Sequence, residues 1–205
     1  MEELRILDQA AEKLFDRVLQ SMNGKFSIES KDAALGVKLL SQFDQLRGYE
    51  RLYVHKVTEL NSGAASFLLL LAEKHTRLVK QLRSGLRYEE DVEEIEPLLL
   101  FTLSHDIGKV LIRKETLGDR IADIFNREDI DFADFPTFSR KYFVVGDKPD
   151  LVRAYFPKRL IQALEQTDEM VVEINGRLGL ARTEKNLSEA LLLQLIHIGS
   201  EITQF

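Results

Sequence analysis

Asn175-Gly176, between the apolar runs Val171–Ile174 and Leu178–Leu180, is the feature that most constrains the fold of this chain. A two-residue hairpin turn of type I′ needs positive φ at both central residues, and Asn-Gly is a pair that adopts this conformation readily. The sequence therefore predicts a β-hairpin at this position. A hairpin in turn requires an antiparallel sheet in which to place its two strands.

The middle of the chain contains further runs of aromatic and β-branched residues, which favour strands. Leu52–Thr58 and Phe67–Leu71 are separated by Asn61-Ser62-Gly63, and this order predicts a second hairpin. Another strand is predicted over Phe138–Val145, where apolar side chains occur at successive positions and indicate burial on both faces. Most of these strands are joined by short connections.

The stretch before residue 113 follows a less regular pattern. Pro97–Leu103 and Val110–Ile112 are apolar, and His105-Asp106-Ile107-Gly108 separates them. Either a hairpin or a helix followed by a turn fits this order. Residues 83–96 hold six acidic side chains, and we expect a solvated loop there because so much charge does not pack into a core.

Apolar residues spaced three and four apart predict helices at both ends of the chain. The first helix is expected over residues 2–22, followed by a short extended piece at Phe26 and Ile28. The last helix is expected to begin at Asn186, where Glu189 completes a capping box.

Three further helices are predicted between these two. Their apolar stripes lie over residues 35–46, over residues 117–125 and in the segment that begins at Asp147 and Pro149. Proline fits the first turn of a helix but not its interior, so Pro157 is expected to kink or split the third of these helices.

Helices thus open and close the chain, and strands occupy its middle. This order predicts an α+β fold with a largely antiparallel sheet, flanked by amphipathic N-terminal and C-terminal helices. A length of 205 residues is near the upper end for one hydrophobic core. We expect a single domain over residues 1–205, with two tightly packed lobes, 1–96 and 97–205, as the alternative.

The composition narrows the function classes. A net charge of -6 repels a phosphate backbone, which disfavours nucleic-acid binding. The chain has no cysteine, so disulfides, a thiolate nucleophile and a thiolate zinc site are excluded, and a cytoplasmic location is expected. The first residues lack the basic and apolar regions of a secretory signal, and the apolar runs are far below the roughly 20 residues of a membrane helix.

His105-Asp106-Ile107-Gly108-Lys109, preceded by His75, is the candidate site with the clearest chemistry. This pattern resembles the paired His-Asp signature of HD-type phosphohydrolases. The resemblance implies that His75, His105 and Asp106 bind a divalent metal such as manganese or iron, and that a metal-bound water attacks a phosphate ester. It also implies a helical scaffold and a later aspartate, which is open among Asp119, Asp123, Asp147, Asp150 and Asp168.

A longer resemblance covers about residues 112–182. It rests on Ile130-Asp131-Phe132, Phe138-Ser139-Arg140-Lys141-Tyr142, Gly146-Asp147 and the hairpin that begins near Glu173. This pattern is similar to an uncharacterised bacterial family. The resemblance implies a sheet-containing α+β fold and brings no activity with it.

These observations favour a binding or interaction protein with no identifiable catalytic site and no cofactor. A metal-dependent phosphohydrolase that uses His75, His105 and Asp106 is the alternative. The expected partner is another protein or a second copy of the chain. The apolar stripe of helix 2–22 can pack on its own sheet or across the two-fold axis of a dimer, and the sequence leaves both arrangements open.

Overall fold

The computed structural model describes residues 2–81, 87–114, 129–167, 169–183 and 185–202. Eight strands occur within these ranges: β1 (Ser27–Lys31), β2 (Arg51–Asn61), β3 (Ser66–Gln81), β4 (Arg87–Thr102), β5 (Lys109–Lys114), β6 (Tyr142–Gly146), β7 (Met170–Asn175) and β8 (Leu178–Thr183). They form one sheet in the order β1-β2-β3-β4-β8-β7-β5-β6, and every neighbouring pair is antiparallel.

Helices surround this sheet and occupy both ends of the chain. Those in the described ranges are α1 (Glu2–Ser21), α2 (Ala33–Leu40), α3 (Pro136–Lys141), α4 (Pro149–Tyr155), α5 (Lys158–Glu165) and α6 (Glu189–Ile202), with a 3-10 turn over Asp44–Leu46. The predicted α+β class, a largely antiparallel sheet flanked by terminal helices, is confirmed. Among the helices in this part of the chain, none is both long and apolar enough to cross a membrane.

The apolar segments of β3 and β4 lie at the centre of the sheet and are buried on both faces. Successive side chains of a strand point to opposite faces, so each segment contributes to two cores. One face joins the larger core, together with α1, α5 and α6, through Leu69, Leu71, Leu99 and Phe101. The other face joins a second core beneath α2 through Leu70, Ala72, Leu98 and Leu100.

The apolar stripe of α1 packs within the same chain. Phe15 and Val18 are fully or almost fully buried in the larger core, and Leu19 lies beside them. The Nζ of Lys56 on β2 reaches the carboxylate of Asp16 at 2.7 Å, which also ties the helix to the sheet. Of the two arrangements open from the sequence, packing on the chain's own sheet is the one observed here, and self-association stays a prediction.

A two-stranded arm extends from the sheet where a solvated loop is predicted over residues 83–96, of which the structure describes 87–96. We define the arm as residues 76–81 of β3 and 87–92 of β4, which pair from Thr76↔Val92 to Gln81↔Arg87. The loop prediction is wrong for residues 87–96, although most of these side chains are exposed as expected. Glu89, Glu90 and Asp91 lie on the arm and are exposed, so they need no core, and ladder hydrogen bonds hold the backbone of the arm. Glu96 lies outside the arm and is buried.

The apolar runs at residues 97–103 and 110–112 form neither a hairpin with each other nor a helix. They belong to β4 and β5, but β8 and β7 lie between these strands in the sheet. Strands that are close in the chain usually pair, but here the strands of the later hairpin β7-β8 lie between β4 and β5.

The hairpin β7-β8 is confirmed, with a different turn from the one predicted. Asn175 pairs with Leu178, so Gly176 and Arg177 are the two central residues. Gly176 has φ +66 and Arg177 is not among the residues with positive φ. Glycine at the first position with positive φ is the signature of a type II′ turn, which like type I′ matches the twist of the strands.

Three helix boundaries differ from the predictions. Phe138 lies in α3, not in the strand that follows, because Pro136 favours a helix start at that point. The Oγ of Ser188, not Asn186, caps α6 by accepting a hydrogen bond from the Leu191 N–H at 3.2 Å. The helix predicted over residues 35–46 is divided into α2 and the 3-10 turn.

Other helix and domain predictions have mixed outcomes. The split at Pro157 is confirmed, since α4 ends before it and α5 begins after it. The helix predicted over residues 117–125 lies outside the described residues. The single-domain interpretation stays a prediction, and the boundary considered for two lobes, between residues 96 and 97, falls inside β4.

Gly179 on β8 provides a test of this packing. A Cβ at this position would lie 2.2 Å from the buried ring of Phe101, its cross-strand neighbour. Gly179→Ala should therefore lower the free energy of unfolding by about 1–3 kcal/mol. Urea denaturation measures this change. Gly48→Ala is the control because a Cβ there meets nothing within 4 Å, and its effect should stay within about 0.5 kcal/mol. Equal losses in the two variants would contradict the register of β4 and β8.

Candidate functional site

His105 and Asp106 lie in the connection between β4 and β5, against the turn of the hairpin β7-β8. The Leu103 N–H donates to the Arg177 carbonyl at 2.7 Å, and the Ile107 N–H donates to the Gly176 carbonyl at 3.1 Å. These bonds, with the complete burial of the Ile107 side chain, hold the connection on the sheet. The His-Asp pair therefore occupies an ordered loop and not a helix.

The Asp106 carboxylate helps to shape this loop. Its Oδ1 accepts a hydrogen bond from the Gly108 N–H at 2.8 Å, and the Lys148 Nζ lies 3.5 Å from the same oxygen. The Gly108 N–H is the main reason that the pKa of the Asp106 carboxyl lies below its ordinary value, and Lys148 adds to the effect. A carboxylate that holds the turn in this way has a local structural role.

The His105 ring stacks on Tyr155, at the end of α4, and marks the edge of a groove. The two ring centroids are 4.4 Å apart, with an angle of 28° between the ring planes. The groove has a volume of about 880 Å³ and lies between this loop, the segment before α3 and the α4-α5 junction. Its residues are Ser104, His105, Asp131, Phe132, Ala133, Asp134, Phe135, Arg153, Ala154, Tyr155, Phe156, Pro157, Lys158, Arg159 and Ile161.

The groove has an apolar floor and a charged rim. Phe132, Phe156 and Ile161 are buried and belong to the larger core. At the rim, the Lys158 Nζ lies 3.6 Å from the Asp134 carboxylate, and both side chains are largely exposed. The groove thus offers apolar surface surrounded by charges of both signs.

The structure places His75 in a separate cluster with Glu73 and Glu93. One donor atom from each of these three side chains lies within 4.8 Å of the others. Within the part of the chain that the structure describes, these three residues are the group whose spacing could hold a metal ion. It contains neither His105 nor Asp106. The structure therefore does not bring His75, His105 and Asp106 together as a common set of donors.

The remaining candidate aspartates have other positions. Asp147 Oδ1 accepts a hydrogen bond from the Lys109 N–H at 2.7 Å, and Asp150 lies 3.6 Å from the Arg153 guanidinium. Asp119, Asp123 and Asp168 lie outside the described residues. The metal-hydrolase resemblance stays a prediction, and its expected helical scaffold is replaced by a strand at His75 and a loop at His105.

Buried charges form a further cluster on the sheet face opposite His75. Glu96 is 3% exposed, and its Oε2 lies 3.3 Å from the Lys74 Nζ and 3.6 Å from the Arg182 Nη2. Burial by itself lowers the pKa of Lys74, but attraction to Glu96 and the hydrogen bond to Glu94 outweigh burial and raise that pKa. The ring of Tyr49 lies within 6 Å of both cations, at 5.3 Å from Lys74 and 5.7 Å from Arg182.

Sequence reasoning missed both the groove and the partners of His75. The groove brings together segments that are distant in the chain, and no local sequence pattern predicts such a groove. The spacing of Glu73 and His75 places both side chains on one face of a strand, which is a readable signal. The acidic sequence around Glu93 predicts a loop, so it gives no sign that Glu93 lies opposite His75.

In sequence, no protein-family model and no curated protein matches this chain. In structure, the chain is similar to the crystal structure of the mycobacterial trehalose monomycolate transport factor A, TtfA. The TM-score is 0.45 and the sequence identity is 11%, over 94% of this chain and 92% of that chain. A similarity of this size carries no argument about function.

Removal of Glu96 tests the buried charge cluster. Glu96→Ala leaves Lys74 and Arg182 buried without the carboxylate between them, so the free energy of unfolding should fall by about 3–5 kcal/mol in chemical denaturation. Glu94→Ala is the matched control because Glu94 also contacts Lys74, at 2.8 Å, from a more exposed position. Its cost should be below about 1 kcal/mol. Equal costs would show that burial of Glu96 does not govern the cluster.

Two glutamates should affect stability with opposite pH dependence. Burial raises the pKa of Glu173 above 4.5, although its carboxylate accepts hydrogen bonds from the Gln45 and Asp44 N–H groups. Hydrogen bonds from Lys31 and Ser66 lower the pKa of Glu59 below 4.5. Glu173 therefore contributes stability that is present below pH 4.5 and lost as the pH rises through its folded-state pKa. Glu59 contributes stability that is present above pH 4.5 and lost as the pH falls through its folded-state pKa.

The measurement is the free energy of unfolding of wild type, Glu173→Gln and Glu59→Gln between about pH 3 and 7. As the pH rises, the stability of wild type relative to Glu173→Gln should fall, and its stability relative to Glu59→Gln should rise. If both stability differences change with pH in the same direction, the direction of the pKa shift is wrong for one of the two glutamates.

Proposed function

We propose that this chain is a binding protein whose groove at the α4-α5 junction takes up an apolar side chain of a protein partner. The observation that carries the proposal is the combination of a buried aromatic floor with an exposed, stacked aromatic pair at the edge. This proposal makes the expected binding role specific to one surface.

The floor of the groove supports a preformed binding site. Phe132 packs against Phe138 and Phe156, with ring centroids 5.6 Å apart in both pairs. Because these rings also belong to the larger core, their positions are set by folding and not by a ligand. An apolar side chain that enters the groove therefore pays little for reorganisation of its floor.

The edge of the groove supports a protein as the occupant. Tyr155 is 46% exposed and is stacked on one side by His105, so its ring is held in place while part of it stays accessible. Tyrosine and arginine are enriched at the residues that dominate protein interfaces. Arg153 and Arg159 line the same groove as Tyr155, together with Asp131 and Asp134. Charges of both signs suit a polypeptide better than a polyanion, which meets repulsion from the carboxylates.

The contacts of the polar residues favour binding over catalysis in this groove. Asp134 is paired with Lys158, and Asp106 holds its own loop through the Gly108 N–H. The His105 ring lies against Tyr155. Catalysis by a nucleophile needs a hydrogen-bonded base that a third group orients, and these contacts describe a different arrangement.

Peptide selection tests this proposal. A phage-displayed library of random peptides, panned on the purified protein, should yield peptides that share an aromatic or large aliphatic residue. Tyr155→Ala should weaken the binding of a selected peptide by about tenfold or more, as measured by calorimetry, because truncation of an interface anchor costs at least about 1.4 kcal/mol.

Tyr88→Ala is the matched control. Tyr88 is 41% exposed, a fraction similar to the 46% of Tyr155. It lies on the arm and not in the groove. Its substitution should leave peptide binding unchanged. The proposal fails if selected peptides bind Tyr155→Ala as tightly as wild type, or if no peptide is selected whose binding depends on Tyr155.

A further inference from the structure

We propose that Glu73, His75 and Glu93 bind a divalent transition-metal ion at the base of the arm, and that His55 is a positioning residue for this site. The proposal concerns a different region from the groove and does not depend on the binding role of the groove. It also differs from the phosphohydrolase pattern, since it retains His75 but uses neither His105 nor Asp106.

The strand register brings the three ligands to one face of the sheet. Glu73 and His75 are two residues apart on β3, so both side chains point to the same side. His75 pairs with Glu93 on β4, which places Glu93 directly across from it. Arg51, at the start of β2, is the residue of β2 that pairs with His75, so the cluster lies where the arm leaves the sheet.

One donor atom from each of the three side chains lies within 4.8 Å of the others, which is close enough for the three residues to share an ion after the side chains move. The two glutamates contact different nitrogens of the His75 ring: Nε2 lies 2.5 Å from Glu73 Oε1, and Nδ1 lies 3.2 Å from Glu93 Oε1. One ion binds only one nitrogen of an imidazole, so an ion at this site replaces one of these two contacts. Ligands at about 2.0–2.2 Å from zinc are separated from one another by about 3–3.5 Å. Binding of an ion therefore needs the side chains to move until one donor from each residue lies at this separation from the other two.

His55 holds Glu73 from its other side. The strand β2 has an irregularity between Val54 and Lys56, and His55 is the extra residue at that bulge. A bulge redirects a side chain, and here the His55 Nε2 lies 2.8 Å from Glu73 Oε2. Carboxylates that bind metals are themselves held by hydrogen bonds of this kind, which orient them toward the ion.

The charges and burial of the cluster favour a cation. Glu73 is buried, and imidazole nitrogens contact both of its oxygens. Two carboxylates lie close together beside one imidazole, and a divalent ion neutralises both of them. One imidazole with two carboxylates is a donor set for zinc, manganese or iron(II), whereas magnesium prefers oxygen ligands and water. His75 and Glu93 are partly exposed, so an ion can reach the site from solvent.

Calorimetric titration of the metal-free protein with Zn²⁺ tests the proposal. Wild type should bind one equivalent, and Zn²⁺ should raise its melting temperature. His75→Ala and Glu93→Gln should weaken binding by about tenfold or more, and His55→Ala should weaken it by about 10- to 100-fold, as is typical for residues that orient a ligand. Mg²⁺ at the same concentration should not compete.

The other histidines provide the controls. His105→Ala and His197→Ala should bind Zn²⁺ as wild type does, because neither belongs to the cluster. Circular dichroism verifies folding, and Glu93→Gln changes a partly exposed residue that the core does not require. The proposal is overturned if wild type shows no saturable binding, if His75→Ala binds as wild type does, or if His105→Ala is the variant that loses the ion.

Discussion

The pairing of β3 with β4 is the interaction on which the rest of this structure depends. Over Leu68↔Leu100 to Leu71↔Pro97, an almost entirely apolar ladder lies at the centre of the sheet. Its side chains alternate between the larger core and the core beneath α2, so the same hydrogen-bonded ladder supports both. Each leucine that is fully buried there contributes about 1.5–3 kcal/mol, which exceeds the roughly 0–1 kcal/mol that is typical of a surface ion pair.

The same ladder positions the candidate sites. Toward the arm, its register places His75 opposite Glu93 and creates a cluster of donors that neither strand has alone. At its other end, β4 pairs with β8 over four residues, from Leu99↔Ala181 to Thr102↔Leu178, and so joins β1-β2-β3 to β7, β5 and β6. The connection after β4 then carries His105 against Tyr155 at the edge of the groove.

The fold class could be predicted because local patterns and the final structure agree at both terminal helices and at the hairpin β7-β8. The arm could not be predicted, because the charge at residues 87–96 indicates a loop and a strand that is solvated on both faces carries no apolar alternation. The sequence leaves the apolar runs at 97–103 and 110–112 open between a hairpin and a helix followed by a turn. In the structure both are strands, and the later hairpin β7-β8 supplies their partners. The sequence alone indicates His75 as a candidate metal ligand. Glu93 can be recognised as its neighbour only when the register of β3 and β4 is known. Tyr155 and the groove depended on tertiary packing that no local pattern describes.

Residue-resolved hydrogen exchange tests the central claim that β3 and β4 form one continuous ladder from core to arm. Hydrogen-bonded amides of residues 68–72 and 98–101 should exchange most slowly, through opening of the whole sheet. Those of residues 88–92 should exchange faster, through local opening of the arm, yet still more slowly than an unstructured peptide. Exchange of residues 88–92 at unprotected rates, or exchange at 98–101 that is faster than in α6, would contradict the account.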